Sequence, residues 1–199
     1  MARNKELNEQ MKEKRREEIL NTALLIFSEK GLAATKIIDI AKSSGFSQGL
    51  IYHYYKSKEE IFTDLIKTAF TRLVDACKYL ESLNEEPLDK LKIALEGILA
   101  GFERNDISTR YHLLVAQATM SDAIPEETKE IIKRENKKPY KIISKIIKAG
   151  QENGSVKKFD PDEMAMVFWT TVKGLAIHKA VNGKKFKSPD INILMNMFN

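Results

Sequence analysis

Ser47-Gln48-Gly49-Leu50-Ile51-Tyr52-His53-Tyr54-Tyr55-Lys56-Ser57-Lys58 is the stretch around which the chain is organised. It opens on small polar residues, fills with aromatic rings and closes on two lysines. Rings that carry hydroxyls and ring nitrogens need partners for those atoms, so such a run packs poorly as pure core. Just upstream, Ile37-Ile38-Asp39-Ile40-Ala41-Lys42-Ser43-Ser44-Gly45-Phe46 is a second short helical pattern that stops at a glycine. Two short helices joined by a tight turn at Gly45 read as a helix-turn-helix. The aromatic run is then the element that enters the DNA major groove.

Working outward, Ile19, Leu20, Ala23, Leu24, Ile26 and Phe27 form an apolar stripe at helical spacing. Gly31 ends that first helix as a residue able to take positive φ. Thr35 is expected to cap the second helix and Ser47 the third. Ser57-Lys58-Glu59-Glu60 is a capping box, and the apolar spacing from Ile61 to Leu80 predicts a long fourth helix leading away from the reading element. Residues 1–16 are polar, with Lys12, Lys14, Arg15 and Arg16 clustered. They read either as a frayed, solvated helix start or as a basic arm on phosphates or the minor groove.

The remainder is helical throughout. Pro87 opens a fifth helix, Asp106 or Ser108 a sixth and Pro125 a seventh. Pro139 lacks an amide donor and should kink or split that seventh segment near 136–139, with Gly150 and Gly154 ending it. Asp160-Pro161-Asp162-Glu163 starts a helix running through Phe168, Trp169 and Gly174. Ser188-Pro189 opens a last helix carrying Ile191, Leu194, Met195 and Phe198. The expected fold class is all-α. An N-terminal three-helix DNA-binding domain (1–58, with the basic arm) precedes a larger helical domain (59–199).

Bulk properties limit the function. Hydrophobic residues make up 43% and charged residues 31% of 199 positions, enough for a sizeable core. Residues 1–58 hold 11 basic against 7 acidic side chains, most of the net charge of +5, which suits a polyanionic partner for that third. No apolar run approaches the ~20 residues of a membrane span, and the N-terminus lacks the apolar segment of a signal peptide. The lone Cys77 excludes an intramolecular disulfide, and a cytoplasmic location is expected. There is no phosphate loop, no nucleophile elbow and no metal-spaced His/Cys cluster, the three histidines being His53, His112 and His178. An enzyme is not expected, nor is a metal or other cofactor.

From Glu17 to Leu65 the chain resembles the DNA-binding domain of the TetR family of transcriptional regulators. The resemblance is carried by Ile19…Ala23…Phe27…Gly31, by Thr35…Asp39-Ile40-Ala41, by Gly45 through Tyr52, and by Lys56-Ser57-Lys58-Glu59. Carried over residue by residue, it implies DNA contacts at Thr35, Ser47, Gln48, Gly49, Tyr52, His53 and Lys58. The chemistry agrees. Glutamine suits paired contacts to adenine, Gly49 admits a close backbone approach, and Thr35 and Lys58 lie at helix N-termini that favour phosphate. Tyr54-Tyr55 depart from the Tyr/His and Phe common in related proteins, which leaves His53 and Tyr54 ambiguous in role. Tyr55 reads as a core ring.

The resemblance further implies a helical domain with an internal cavity and dimerisation through the last two long helices. Aromatic or polar groups set in apolar faces nominate Phe102, Tyr111, His112, Gln117, Phe168 and Trp169 for the cavity, with Met120, Thr170, Lys173 and His178 behind them. Val167, Thr171, Gly174, Leu175, His178, Leu194 and Phe198 are nominated for the dimer. The implied function is a ligand-responsive repressor. It binds a palindromic double-stranded DNA operator as a homodimer and is released by an apolar or aromatic small molecule. The competing reading is a DNA-binding regulator without an effector, either an activator or an architectural binder.

Overall fold

The computed structural model describes residues 2–104 and 107–199. Ten α-helices occur among them, and no strand does. Helix α1 spans Ala2–Ala34 and is broken at Gly31, whose φ of 75° and ψ of 169° belong to a glycine. The basic run 12–16 therefore continues this helix; residues 6–15 are all exposed. Helix α2 spans Ile37–Ser44 and ends at Gly45, with φ 72° and ψ 14°. That left-handed residue makes the turn, after which the Phe46 N–H reaches the Ala41 carbonyl at 3.0 Å. Helix α3 spans Gln48–Tyr54, and Ser47 caps it by accepting the Leu50 N–H at 3.1 Å.

Helix α4, Lys58–Ser82, is the spine. Its 25 residues make a rod about 37 Å long. Ser57 caps it by accepting the Glu60 N–H, while the Glu60 carboxylate accepts from Lys56 rather than from Ser57. Then follow α5 (Pro87–Arg104), α6 (Ile107–Thr119), α7 (Glu126–Glu135), α8 (Lys137–Glu152) and α9 (Pro161–Asn182). The split at Asn136 falls where Pro139 required one. Asp160 caps α9 by accepting the N–H groups of Asp162 and Glu163, both at 2.9 Å.

Three expectations need correction, and one of two alternatives for the start of α6 falls away. Thr35 does not cap α2: it is fully buried, its hydroxyl donates to the Gly31 carbonyl at 2.7 Å, and Lys36 is the cap residue, its N–H bound by Asp39. Ser108 lies inside α6 rather than at its start, and the alternative, Asp106, is outside the described residues. Gly150 does not end α8. It is an interior position where any Cβ would collide with Val156 and Pro87, so glycine serves close approach there. The last helix, α10, is only Ile191–Met195, capped by Asp190 instead of Ser188.

Two clusters form the core. The first joins Ile19, Leu24 and Phe27 of α1 to Ile40, Ile51, Ile61 and Leu65, and takes in Leu114 of α6 and Ile131 of α7. The second joins Leu91, Leu95 and Phe102 to Ile143, Ile147, Phe168, Val172, Leu194 and Phe198. Helix α4 feeds both, with Phe70 in the first and Cys77 and Leu80 in the second. Leu194 and Phe198, nominated for a dimer interface, are 7% and 1% exposed within their own chain and cannot form one. Leu175 is half-buried against the same core.

Candidate nucleic-acid interface and effector cavity

Ser47, Gln48, Gly49, Tyr52 and His53 are exposed together along the first turns and one face of α3. Tyr52 is 53% exposed, while Ile51, beside it in sequence, is fully buried and fixes which face of this two-turn helix looks outward. His53 stacks edge-on against Tyr54 with ring centres 5.4 Å apart. Tyr55 turns inward. Its hydroxyl donates to Asp64 at 2.7 Å, and the same carboxylate oxygen accepts Arg16 at 2.7 Å, so α1, the end of α3 and α4 meet at one atom. Burial and that carboxylate push the Tyr55 hydroxyl well above the usual phenol range.

Two nominated contacts are used internally. The Thr35 hydroxyl is buried on Gly31, so it offers nothing to a phosphate. The Lys58 ammonium donates to the carbonyls of Leu32, Ala33 and Thr35 at 2.9, 3.1 and 2.8 Å. It closes the end of α1 on the start of α4, a cation where helix carbonyls are left over. Sequence reading passed over Lys36, Lys42 and Lys56. All three are exposed, and their ammonium groups have no carboxylate partner among the described residues. Their signal was the positive charge of the segment, which residue-by-residue carry-over did not use.

A cavity of about 150 Å³ lies between α4, α6, the α7–α8 junction and α9. Ala69, Phe70, Leu73 and Ala76 of α4 and Ile107 and Val115 of α6 supply apolar walls. Tyr111 and His112 of α6, Asn136, Tyr140 of α8, and Trp169 and Lys173 of α9 supply the polar groups, with Arg72 at the edge. The Arg72 guanidinium lies 5.2 Å over the Tyr111 ring. Lys173 Nζ donates to the Tyr140 hydroxyl at 3.2 Å.

Tyr111, His112, Trp169 and Lys173 were nominated and line this space. Phe102 does not: it is buried behind His112, ring to ring at 5.8 Å, and against Phe186. Phe168 does not either, being packed on Trp169 at 5.0 Å and on Phe198. Gln117 points the other way and donates to the Ser28 carbonyl at 3.2 Å. Met120, Thr170 and His178 are exposed. The missed wall had a signal at Ala69, a small buried residue of α4 where a larger one would have filled the space, whereas Ala76 is exposed.

The reverse side of α6 holds α1. Arg110 donates to the Ser28 hydroxyl and to Glu29, each at 3.2 Å, next to the Gln117 bond. Between α4 and α7 the buried hydroxyls of Thr63 and Thr128 meet at 2.7 Å. Cys77 is buried and its thiol is pushed up to about 12. Among the described residues no group of His, Cys, Asp or Glu could hold a metal ion, and no helix is long and apolar enough to cross a membrane.

Residues 19–65 match the sequence model of the family described as bacterial regulatory proteins, tetR family. The transcriptional repressor KstR2 of Mycolicibacterium smegmatis is 30% identical over 152 residues, which cover 74% of this chain and 69% of that one. Among solved structures, AibR in complex with isovaleryl coenzyme A and operator DNA superposes with a TM-score of 0.74 at 16% identity, over 92% of this chain and 97% of that one. FadR of Bacillus subtilis in complex with stearoyl-CoA gives 0.67 at 21% identity, over 90% and 92%. Both share the fold over about nine tenths of this chain. With its helix-turn-helix exposed as described and a repressor relative matched over two thirds of its length, this chain belongs to the TetR family of transcriptional regulators.

Proposed function

We propose that the chain is a ligand-responsive repressor acting in the cytoplasm. It binds a two-fold symmetric operator as a homodimer and leaves it when a small molecule with an apolar or aromatic body enters the cavity behind α4. One observation carries this reading. Helix α6 presents Tyr111, His112 and Val115 to the cavity and Arg110 and Gln117 to the end of α1, so whatever moves α6 is felt at the DNA-binding unit. A ligand shifts such an equilibrium only by binding one arrangement better, and a cavity bordered by four helical segments that must move relative to one another permits that. The complexes of AibR and FadR with coenzyme A thioesters support an effector with an aliphatic acyl body.

In the DNA-bound form, Gln48 and Gly49 read base edges, Ser47, Tyr52 and His53 contact backbone or bases, and Lys36, Lys42 and Lys56 supply phosphate charge. The dimer forms on α9. Val167, Thr170, Gly174, Ile177 and Val181 follow one another at helical spacing, all exposed, and Val181 is 79% exposed. A Cβ on Gly174 would meet nothing of its own chain, so the glycine keeps a flat site for a second copy. Thr171 and His178 flank the stripe.

Selection of bound fragments from genomic DNA, followed by binding to the recovered sites at fixed salt, tests the reading. It expects inverted repeats with half-sites one or more helical turns apart. Equal affinity for recovered and random duplexes would sink it.

A further inference from the structure

The cavity has a chemical bias that its size and shape alone do not express. Its lining holds two cations, the Lys173 ammonium and the Arg72 guanidinium, and the Trp169 indole N–H, beside Ser108, Tyr111, His112, Asn136 and Tyr140, whose side chains can accept as well as donate. Among the described residues no aspartate or glutamate lines it. Trp169 is 4% exposed, and its Nε1–H is buried without a hydrogen-bond partner. A buried donor left unpaired carries a desolvation cost that a native fold rarely tolerates without a reason. Lys173 is half-buried and rests on a neutral phenol, 3.2 Å from the Tyr140 oxygen. Neither Lys173 nor Arg72 forms an ion pair among the described residues. Cations at the edge of an apolar space, beside an unused donor, form a site that lacks its anion.

We propose that the cavity binds a small organic carboxylate. An aryl or branched alkyl body fills the apolar part between Ala69, Leu73 and Val115. The carboxylate lies against Lys173 and the Trp169 N–H, and Arg72 keeps the mouth positive. The volume of about 150 Å³ sets the size of the body, because an apolar cavity of that volume accepts benzene. The inference rests on the reading of this cavity as the effector site and specifies the ligand it takes.

The test is calorimetric titration of the full chain with benzoate and 3-methylbutanoate, their neutral amides, and the coenzyme A thioesters of both acids. Release of a recovered operator fragment is measured in parallel. The free carboxylates should bind about tenfold or more tighter than the amides of the same shape. K173M should abolish that preference, W169F should weaken carboxylate binding several-fold, and R72M should lower carboxylate affinity while sparing the amides. Circular dichroism of each variant establishes that it is folded. The proposal is overturned if amides bind as well as acids, if only thioesters bind, if the preference survives in both cation variants, or if no carboxylate binds at all. Carboxylate binding without operator release would uphold the ligand class and refute the effector reading. Operator release by neutral compounds alone would do the reverse.

Discussion

Lys58→Met separates two roles for a residue that resemblance places on DNA and whose ammonium the structure pairs with backbone carbonyls. Methionine keeps the apolar stem and removes only the ammonium, so packing along α4 is preserved. Three hydrogen bonds are lost, to Leu32, Ala33 and Thr35. Charge-assisted bonds contribute about 1.5–3 kcal/mol each when buried, but Lys58 is half-exposed and water recovers part of that. A total loss of about 2 kcal/mol follows. With a urea slope of about 2 kcal/mol/M the unfolding midpoint should fall by about 1 M. Operator affinity should drop as the start of α4 loosens, yet the slope of log K against log salt should stay where it was. A phosphate-contacting lysine behaves oppositely: its loss removes about 0.9 from that slope per protomer and leaves stability alone. Lys56→Met, exposed and unpaired, is the control expected to behave in that second way. An unchanged urea midpoint together with a reduced salt slope for Lys58→Met would refute the capping role.

Tyr52→Ala should weaken operator binding by at least about tenfold while gel filtration and helicity stay unchanged, since the ring is half-exposed and off the core. Ile177→Asp with Val181→Asp should yield folded monomers by analytical ultracentrifugation; a persistent dimer would move the interface off α9. Arg110→Ala with Gln117→Leu should keep operator affinity within about threefold and keep ligand binding, but lose ligand-driven release, because those side chains join α6 to Ser28 and Glu29. Cys77 should resist thiol reagents until the chain unfolds. Its folded value of about 12 lies above the ordinary 9.0, so the folded form holds its proton longer and is favoured below pH 9. That contribution fades as pH rises from 9 towards 12, and Cys77→Ala should flatten this part of the stability curve.

Local rules carried the helix-turn-helix because each constraint there lies within a few residues. Gly45 takes the left-handed turn, Ser47 caps, and Ile51 alternates with Tyr52 between core and solvent. The Pro139 split and the Asp160 cap were legible for the same reason. Failures came where a partner lies far away in sequence. Nothing near Lys58 announces that its ammonium will meet carbonyls 23 to 26 residues upstream. Phe102, Phe168 and Phe198 look like pocket or interface rings until the fold brings them to a common core. The cavity itself is an absence of packing, written in part as an alanine at 69 that a spacing argument counts as an ordinary inner-face residue. Thr35 shows a subtler limit: it stands one position before the cap residue Lys36, and its hydroxyl is taken by the carbonyl four residues before it.

The two halves share more than a junction. Leu114, Val115 and Ala118 of α6 and Ile131 and Ile132 of α7 pack into the same core as Ile40 and Ile51 of the reading unit. The DNA-binding helices therefore have no complete core without elements that also border the cavity. Val115 does both, as a member of that core and as a cavity wall, and so does Phe70. Filling the cavity cannot displace these two residues without disturbing the packing beneath α2 and α3, since close-packed interiors transmit strain rather than absorb it. Along α4 the cavity begins at Ala69, about 16 Å from Lys58 by helical rise. Between them the Thr63–Thr128 hydroxyl pair pins α4 to α7. A push of about 1 Å beyond such a pin tilts the rod and swings its pinned-side end the opposite way by a comparable amount, carrying Lys58, Tyr55 and α3 with it. In a dimer the two reading helices move by symmetry, so their separation changes by the sum of both swings. Groove-spaced contacts tolerate little of that, so on the proposed ligand-responsive reading the stiffness of α4, rather than any contact between ligand and DNA, governs release.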